Sequence, residues 1–455
     1  MALISVVLHA CAVLLGQSLQ AHWPSVTQRS DDCDRELGNK FLDDMRNNNA
    51  SVCVRRRTTD EKPFAASVHM HRLGIASDTV LHSSSPEPGC SNRPEAHVVV
   101  VDGAQLRVTP EGSQIIVDCD DVGLSRLTDY ERGGMLVSAI HEGEHPVCDS
   151  WVEEDTFFVE NPRQEYFGNL YHTMEEVFAI FETAQVLKRH ISDFRLLVGW
   201  GGAGSAHFYQ VPGQLQKQVV QDPPPGALPG ILELWSALMR GGSGGNRRAH
   251  QMQPLALDTE SPSSLCFRRM VLPMRACDGS ILPRTWAPST PCAHGSAIAQ
   301  EVAETVLEAF GSKLTAVGGR RVTFIVRHAY LRGLTNEDDV AEALSKMPGV
   351  DLRKVDFARL SFAEQVKVVQ QTRVLVGVHG AGLAHIPLLP PGAGVVEISP
   401  VPAPFPGRSV ANIFANMAAW TQHPYRSVRA VGSLDTDVSA DPTEVVHAVD
   451  SMLPA

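Results

Sequence analysis

The chain has 455 residues, 43% of them hydrophobic and 20% charged, enough apolar surface for roughly two or three domain cores and far from the composition of a chain disordered throughout. Its 39 Lys and Arg face 51 Asp and Glu, a net charge of −12, so a general nucleic-acid partner, held by neutralised phosphates, is not expected. No run of about 18 apolar residues occurs beyond the N-terminus, which excludes a multi-span membrane protein.

The apolar stretch Ile4–Gly16 (ISVVLHACAVLLG) is short for a membrane span and suits a signal-peptide core over residues 1–21, with Ala21 as the cleavage residue. No Lys or Arg precedes Arg29, so a short signal-anchor is the alternative. If retained, this segment is the only expected membrane contact. The nine cysteines form no CxxC or Cys/His zinc spacing. Loss of Cys11 with the leader leaves an even set, which fits an oxidising lumen and some disulfides, with the pairing open. Asn49-Ala50-Ser51 is the only N-glycosylation sequon, and makes Asn49 the glycosylation candidate. The chain ends SMLPA, without an HDEL-type signal, so endoplasmic reticulum and Golgi both stay open.

Residues 22–95 are polar and read as an irregular N-terminal segment. From residue 96 to 293 the pattern is that of an ordered lobe. HVVVVDG, SQIIVDCDD and TFFVE read as strands, Tyr171–His190 as a helix with Met174, Val177, Phe178, Phe181 and Val186 at helical spacing, and Arg195–Trp200 as a strand. Residues 201–264, rich in Gly, Pro and Gln, read as a loop-heavy surface insertion with one helix around Ile231–Met239. Residues 294–455 form the second lobe. Its expected elements are a helix over Ala297–Phe310, a strand over Arg321–Val326, a helix over Glu337–Lys346, a strand over Val355–Phe357, a helix over Phe362–Gln371, a strand over Val374–Val378, a short helix over Leu383–Leu389 and a strand over Gly394–Ile398. Alternating strands and helices with continuous β-branched runs predict a parallel α/β sheet covered on both faces.

Three motifs carry chemistry. In VLVGVHGAGLAHIPLLPPGAGVVEISP a buried strand ends at Val378, and His379-Gly380-Ala381-Gly382-Leu383 turns into a helix. Glycines there let backbone N–H groups approach an anion such as a diphosphate at a helix N-terminus. Glu397, ending the next strand, is placed to accept hydrogen bonds from ribose hydroxyls. The loop is neither GxGxxG nor a P-loop, and by itself it is also compatible with a tight turn. Second, a strand ends in Arg327, followed by Arg332, Asn336 and Glu337. Arginines just past a strand suit a phosphate clamp, although solvated charges give the same pattern. Third, Asn169-Leu170-Tyr171-His172 leads into a helix in which His172 and Glu176 share one face. Such a pair serves a general base or, more simply, a helix cap with surface carboxylates. Gly241-Gly242-Ser243-Gly244-Gly245 matches the hydrolase GxSxG pattern but lacks the preceding apolar strand of a nucleophile elbow.

The arrangement N-x-Y-H-x-x-x-[D/E], then R-x(4)-R-x(3)-N-E, then HGAGL with a downstream VVE resembles glycosyltransferase family 61 over residues 146–400, and Leu265-Cys266-Phe267-Arg268 is similar to the segment that precedes the family's C-terminal lobe. The resemblance implies a GT-B fold of two Rossmann-like lobes with parallel sheets and an interlobe cleft. It implies an inverting, metal-independent transfer from a UDP-sugar, without a cofactor, to a hydroxyl of a protein or glycan in the secretory lumen. GlcNAc is favoured, and xylose or arabinose transfer is the alternative within the family. A non-catalytic nucleotide-sugar or glycan binder is the other alternative. Carried over, Arg327, Arg332 and Asn336 with the His379–Leu383 loop hold the donor, and Glu397 contacts its ribose or uracil side. Glu176 is the general base where the family has Asp, His172 orients it or the acceptor, and Asn169 and Tyr171 face the acceptor.

Overall fold

The computed structural model describes residues 39–54, 66–74, 95–109, 112–117, 140–141, 148, 150–161, 169–202, 205–208, 229–240, 253–254, 265–274, 292, 295–327, 332–400, 412–434 and 436–454. The expected leader and the GxSxG pattern lie outside them. The first half contains α1 (Asn39–Asn47), β1 (Asn49–Val54), β2 (Ser67–Gly74), β3 (Glu95–Thr109), β4 (Gly112–Val117), β5 (Ile140–His141), β6 (Ser150–Val152) and β7 (Thr156–Asn161). It continues with α2 (Leu170–Val186), β8 (Arg195–Gly202), β9 (Ser205–Phe208), α3 (Pro229–Arg240), β10 (Gln253–Pro254) and β11 (Leu265–Leu272). The second half contains α4 (Ala297–Ala309), β12 (Arg321–Ile325), α5 (Glu337–Ser345), β13 (Asp351–Val355), α6 (Phe362–Val369) and β14 (Val374–Val378). After these come β15 (Gly394–Ser399), α7 (Ile413–Trp420), β16 (Tyr425–Val431), β17 (Ser439–Ala440) and α8 (Pro442–Asp450).

The first sheet follows the order β1-β2-β3-β11-β7-β8-β10. It is mixed and not the parallel sheet expected of this half: β1, β2, β3 and β11 run antiparallel to their neighbours, whereas β11, β7, β8 and β10 run parallel. The valine run of β3 explains the difference. Val98 and Val100 enter one core and Val99 and Val101 the core on the opposite face. Burial on both faces demands β-branched residues at every position, whichever way the neighbouring strands run. The segment read as irregular supplies α1, β1 and β2; Phe41, Leu42 and Met45 of α1 are buried, and β2 pairs with β3 along eight residues.

The second sheet is ordered β13-β12-β14-β15-β16-β17, parallel through β16 and closed by an antiparallel β17. The chain steps from β12 outward to β13, then returns to the other side of β12 as β14. That reversal opens a crevice at the C-terminal ends of β12 and β14, the place where open α/β sheets bind ligands. β13 starts four residues and ends two residues earlier than its sequence suggested, because an edge strand with an exposed face carries polar residues; Asp351, Arg353 and Lys354 are exposed. The expected helix over Leu383–Leu389 is a 3-10 segment, Ala381–Leu388, with Pro387 near its end.

One continuous core joins α2, α4, α6 and α7 with faces of both sheets. α2 is buried almost all round. α3 is the helix expected within 201–264, but it is not a surface feature. Ile231, Leu234, Trp235 and Leu238, at i, i+3, i+4 and i+7, are buried in this core. Glu233 Oε2 accepts from the Phe362 N–H at 2.5 Å, so a carboxylate from α3 supports the N-terminus of α6 beside that helix's own Ser361–Glu364 capping box. Among the described residues no helix is long and apolar enough to cross a membrane.

Cys148 and Cys266 form a disulfide across 118 residues of sequence, tying the start of the first-half motif region to β11. Cys292 is disulfide-bonded as well. A crosslink of this span acts mainly by removing freedom from the unfolded chain, typically about 2–4 kcal/mol. Cys148→Ser should therefore lower the denaturant midpoint by a corresponding amount with an intact fold, measured by urea unfolding; an unchanged midpoint would show that the unfolded chain gains no freedom when the bridge is lost.

Candidate functional site

A cavity of about 450 Å³ lies at the crevice between β12 and β14. Ile325, Val326 and Arg327 line it from the end of β12, and Val378, Ala381 and Gly382 from the end of β14 and the loop that follows. Asp356, Phe357 and Arg359 form another wall after β13. Leu170 of α2 and Ile231 of α3 contribute from the first half, so helices from both halves of the chain enclose it.

Arg327 is the cavity's exceptional group. Its guanidinium is half-buried, its Nε has no hydrogen-bond partner, and no carboxylate pairs with it among the described residues. Burial, and then the charge of nearby Arg332, hold it below the ordinary arginine range. Arg332 Nη1 lies 3.5 Å from the His379 carbonyl oxygen. Two cations are thus brought together, and among the described residues no carboxylate pairs with Arg327, since Asp356 on the facing wall is paired with Arg359; the arrangement costs energy until an anion arrives. The space for Arg327 comes from Gly380: a Cβ there would lie 2.2 Å from Arg327 Nη1. The glycine serves this close approach and not its backbone, which is extended; a Cβ would oblige the guanidinium to shift. Arg332 itself has φ +64°, a left-handed conformation costing about 1–2 kcal/mol for a residue with a side chain. The following residues hold it there. Gly333 N–H donates to Asp437 Oδ1 at 2.8 Å, and Thr335 N–H to the Val438 carbonyl at 2.8 Å.

The loop divides its residues between surface and core. Ala381 and Gly382 line the cavity, while Leu383 is fully buried. His379 is 3% exposed and its Nδ1 lies 2.5 Å from Glu397 Oε1. Glu397, expected at a ribose, is instead fully buried on β15, and its second oxygen accepts from the Tyr425 hydroxyl at 2.5 Å. β15 is covered on both faces, so its side chains point into packing and not into the crevice. Asn336, expected at the donor, is likewise committed elsewhere: Nδ2 donates to the Ala440 carbonyl at 2.8 Å and Oδ1 accepts from Ala440 N–H at 3.2 Å. It fastens the Arg332 segment to β17.

On the first-half side, Asn169 is the N-cap of α2, its Oδ1 accepting from Tyr171 N–H at 3.1 Å. Tyr171 is buried and packs edge-on against Phe414 of α7, with ring centroids 6.2 Å apart. Both expected acceptor-facing groups are therefore part of the framework. His172 pairs with Glu175, not Glu176: Nδ1 lies 2.9 Å from Glu175 Oε2, and Glu175 is 3% exposed. Glu176 is half-buried, and neither it nor His172 lines the cavity. Phe414 also meets the edge of His379 at 5.1 Å, so one ring bridges the α2 N-terminus and the β14 loop. Asn49 is exposed at the start of β1. Sequence reading missed Glu175, Phe414 and Tyr425; the i,i+3 spacing of His172 and Glu175 was available, whereas Phe414 and Tyr425 carry no motif.

His385 closes the cavity floor. It is 1% exposed, stacks on Phe357 at 4.2 Å, and has Nδ1 2.8 Å from the Gly382 carbonyl oxygen and Nε2 2.8 Å from Gln365 Oε1. Burial pushes its pKa down to about 4 from 6.5. His423, also buried, is lowered to about 4 by the same cause. The unfolded chain therefore binds more protons than the fold below pH 6.5. The stabilising contribution is complete above 6.5 and is lost as pH falls towards 4. Thermal unfolding between pH 7 and 4 should show Tm falling with pH, and His385→Gln should flatten the slope; a slope unchanged in that variant would mean that His385 is already charged in the fold.

Residues 170–396 match the profile of the family Glycosyltransferase 61. The EGF domain-specific O-linked N-acetylglucosamine transferase of Drosophila melanogaster is 30% identical over 142 residues, covering 29% of this chain and 27% of that protein. Its Mus musculus counterpart is 35% identical over 83 residues, 18% of this chain and 16% of that protein. A beta-1,2-xylosyltransferase of Arabidopsis thaliana is 23% identical over 355 residues, 68% of this chain and 56% of that protein. The chain thus spans well under two thirds of the length of these relatives. Every residue that lines the cavity falls inside the matched segment, and on that match the chain belongs to glycosyltransferase family 61.

Proposed function

We propose that the cavity binds a UDP-sugar and that the chain transfers the sugar, with inversion and without a metal, to a hydroxyl of a protein or glycan. The observation that carries this reading is Arg327: a half-buried guanidinium without a carboxylate partner among the described residues, at the switch point of a parallel sheet. A diphosphate supplies the missing charge, and the fork of an arginine fits its oxygens. The apolar walls, Phe357, Ile325 and Val378, suit a nucleobase and ribose. Two sheets with helices of both halves meeting over the cavity support a GT-B arrangement. The disulfide fits an oxidising secretory lumen, endoplasmic reticulum or Golgi.

GlcNAc is the favoured sugar, on the local identity to the O-linked N-acetylglucosamine transferases. Xylose is the second reading, supported by the longer match to the xylosyltransferase. Glu176 is the proposed base. The His172–Glu175 pair one turn away positions the same end of α2, so Glu175 acts on orientation and Glu176 on the proton.

UDP release from UDP-GlcNAc, UDP-xylose and UDP-arabinose, in EDTA and with acceptor glycopeptides, tests this directly. Glu176→Gln should slow transfer by about 10²–10⁴-fold with UDP binding retained. Full activity in that variant would remove Glu176 as the base. UDP binding without turnover of any sugar by the wild type would make the chain a nucleotide-sugar binder, and restoration of activity only by divalent cations would contradict metal independence.

A further inference from the structure

Tyr425 begins β16, outside the three motifs and beyond the family match. Its hydroxyl donates to Glu397 Oε2 at 2.5 Å, and the opposite oxygen, Oε1, receives His379 Nδ1 at 2.5 Å. The three groups form a line across three adjacent parallel strands, from β16 through β15 to the residue after β14. Register places them there: Glu397 lies opposite Gly377 and Ser427, so the residue before β14's loop and the start of β16 flank it. The carboxylate is fully buried and has only these two partners among the described residues. Burial and the adjacent carboxylate push the Tyr425 hydroxyl above its ordinary range, so it stays a proton donor.

The consequence falls on His379. A carboxylate accepts only, so the proton on the imidazole must sit on Nδ1, and Nε2 is left as an acceptor. Nε2 makes no hydrogen bond among the described residues. Its ring is clamped by Phe414, and its own carbonyl lies beside Arg332. We infer that Tyr425 and Glu397 are positioning residues that lock His379 in the Nδ1–H tautomer, so that Nε2 accepts a hydrogen bond from a hydroxyl of the bound sugar nucleotide. The ligand half of this inference rests on the UDP-sugar reading; the tautomer half does not.

Removing the Tyr425 hydroxyl leaves Glu397 Oε2 buried without a donor. The proton on Nδ1 then passes to the glutamate while one proton is taken up from solvent at Nε2, so that the imidazole stays neutral and carries its proton on Nε2. The acceptor becomes a donor, and a hydroxyl that had donated to it must turn or leave.

Nitrogen-15 NMR of histidine-labelled protein reads the tautomer without any ligand, with the His379 signals assigned by their loss in His379→Asn. The expected result is a protonated Nδ1 and an unprotonated Nε2 in the wild type near neutral pH. A wild-type Nε2–H form overturns the inference whatever the variants do. In Tyr425→Phe the signals should shift to the Nε2–H form, and UDP-sugar affinity by calorimetry should weaken about tenfold, with UDP-sugar KM rising more than kcat falls. Glu397→Gln should show the same split. An unchanged tautomer and an unchanged affinity in Tyr425→Phe would also overturn it. If the wild type holds the Nδ1–H form but binds no UDP or UDP-sugar, the UDP-sugar reading fails and takes the ligand half with it, while the relay stands.

Discussion

A guanidinium lying against the bare Cα of a glycine sets the terms for the rest of this structure. Arg327 reaches its place because Gly380 has no side chain, and among the described residues it has no carboxylate partner. Keeping a cation half out of water in this way is unfavourable, and several features elsewhere keep it so. Arg332 is bent into a left-handed conformation that brings a second positive charge near. Asp437, Val438 and Ala440 hold the segment that bears it. The winding reversal between β12 and β14 opens the crevice that Arg327 lines.

The enclosure of that crevice depends on elements distant in sequence. α2 supplies Leu170 and α3 supplies Ile231, and each is fixed by burial in a core that runs into the second sheet. Glu233 adds a specific tie, placing a carboxylate of α3 at the start of α6. Phe414 does the same work with apolar surface, touching Tyr171 on one side and His379 on the other. A site assembled from two halves in this way can couple donor binding to the geometry of the α2 N-terminus, where His172, Glu175 and Glu176 reside.

Much of this was legible in the chain itself, for reasons that differ by element. The β14 strand and its glycine loop stand out because a strand buried on both faces favours apolar residues, and a bare Cα at 380 leaves room for the arginine beside it. The two arginines were legible as types out of place in an acidic protein. What could not be read was partnership. Glu397 looked like a ligand for ribose because it ends a strand, but both of its oxygens are taken by residues 18 and 28 positions away, and no local pattern encodes such a pairing. Asn336 and Asn169 carry amides that satisfy backbone groups, which is the commonest use of such side chains near turns and caps. The valine run of β3 encodes burial on two faces and does not specify strand direction. In residues 201–264 the helix α3 is legible but its burial is not, because Gly- and Pro-rich flanks suggest a surface insertion although Ile231, Leu234, Trp235 and Leu238 have the spacing of a buried face.

The central claim is that Arg327 is an anion site for a nucleoside diphosphate. Calorimetric titration with UDP, UMP and uridine, on the wild type and on Gly380→Ala, tests it most directly. The account predicts that UDP binds at least tenfold more tightly than uridine, and that Gly380→Ala erases this preference because the new Cβ displaces the guanidinium. Equal affinities for UDP and uridine in the wild type, or a preference that survives the alanine, would contradict it.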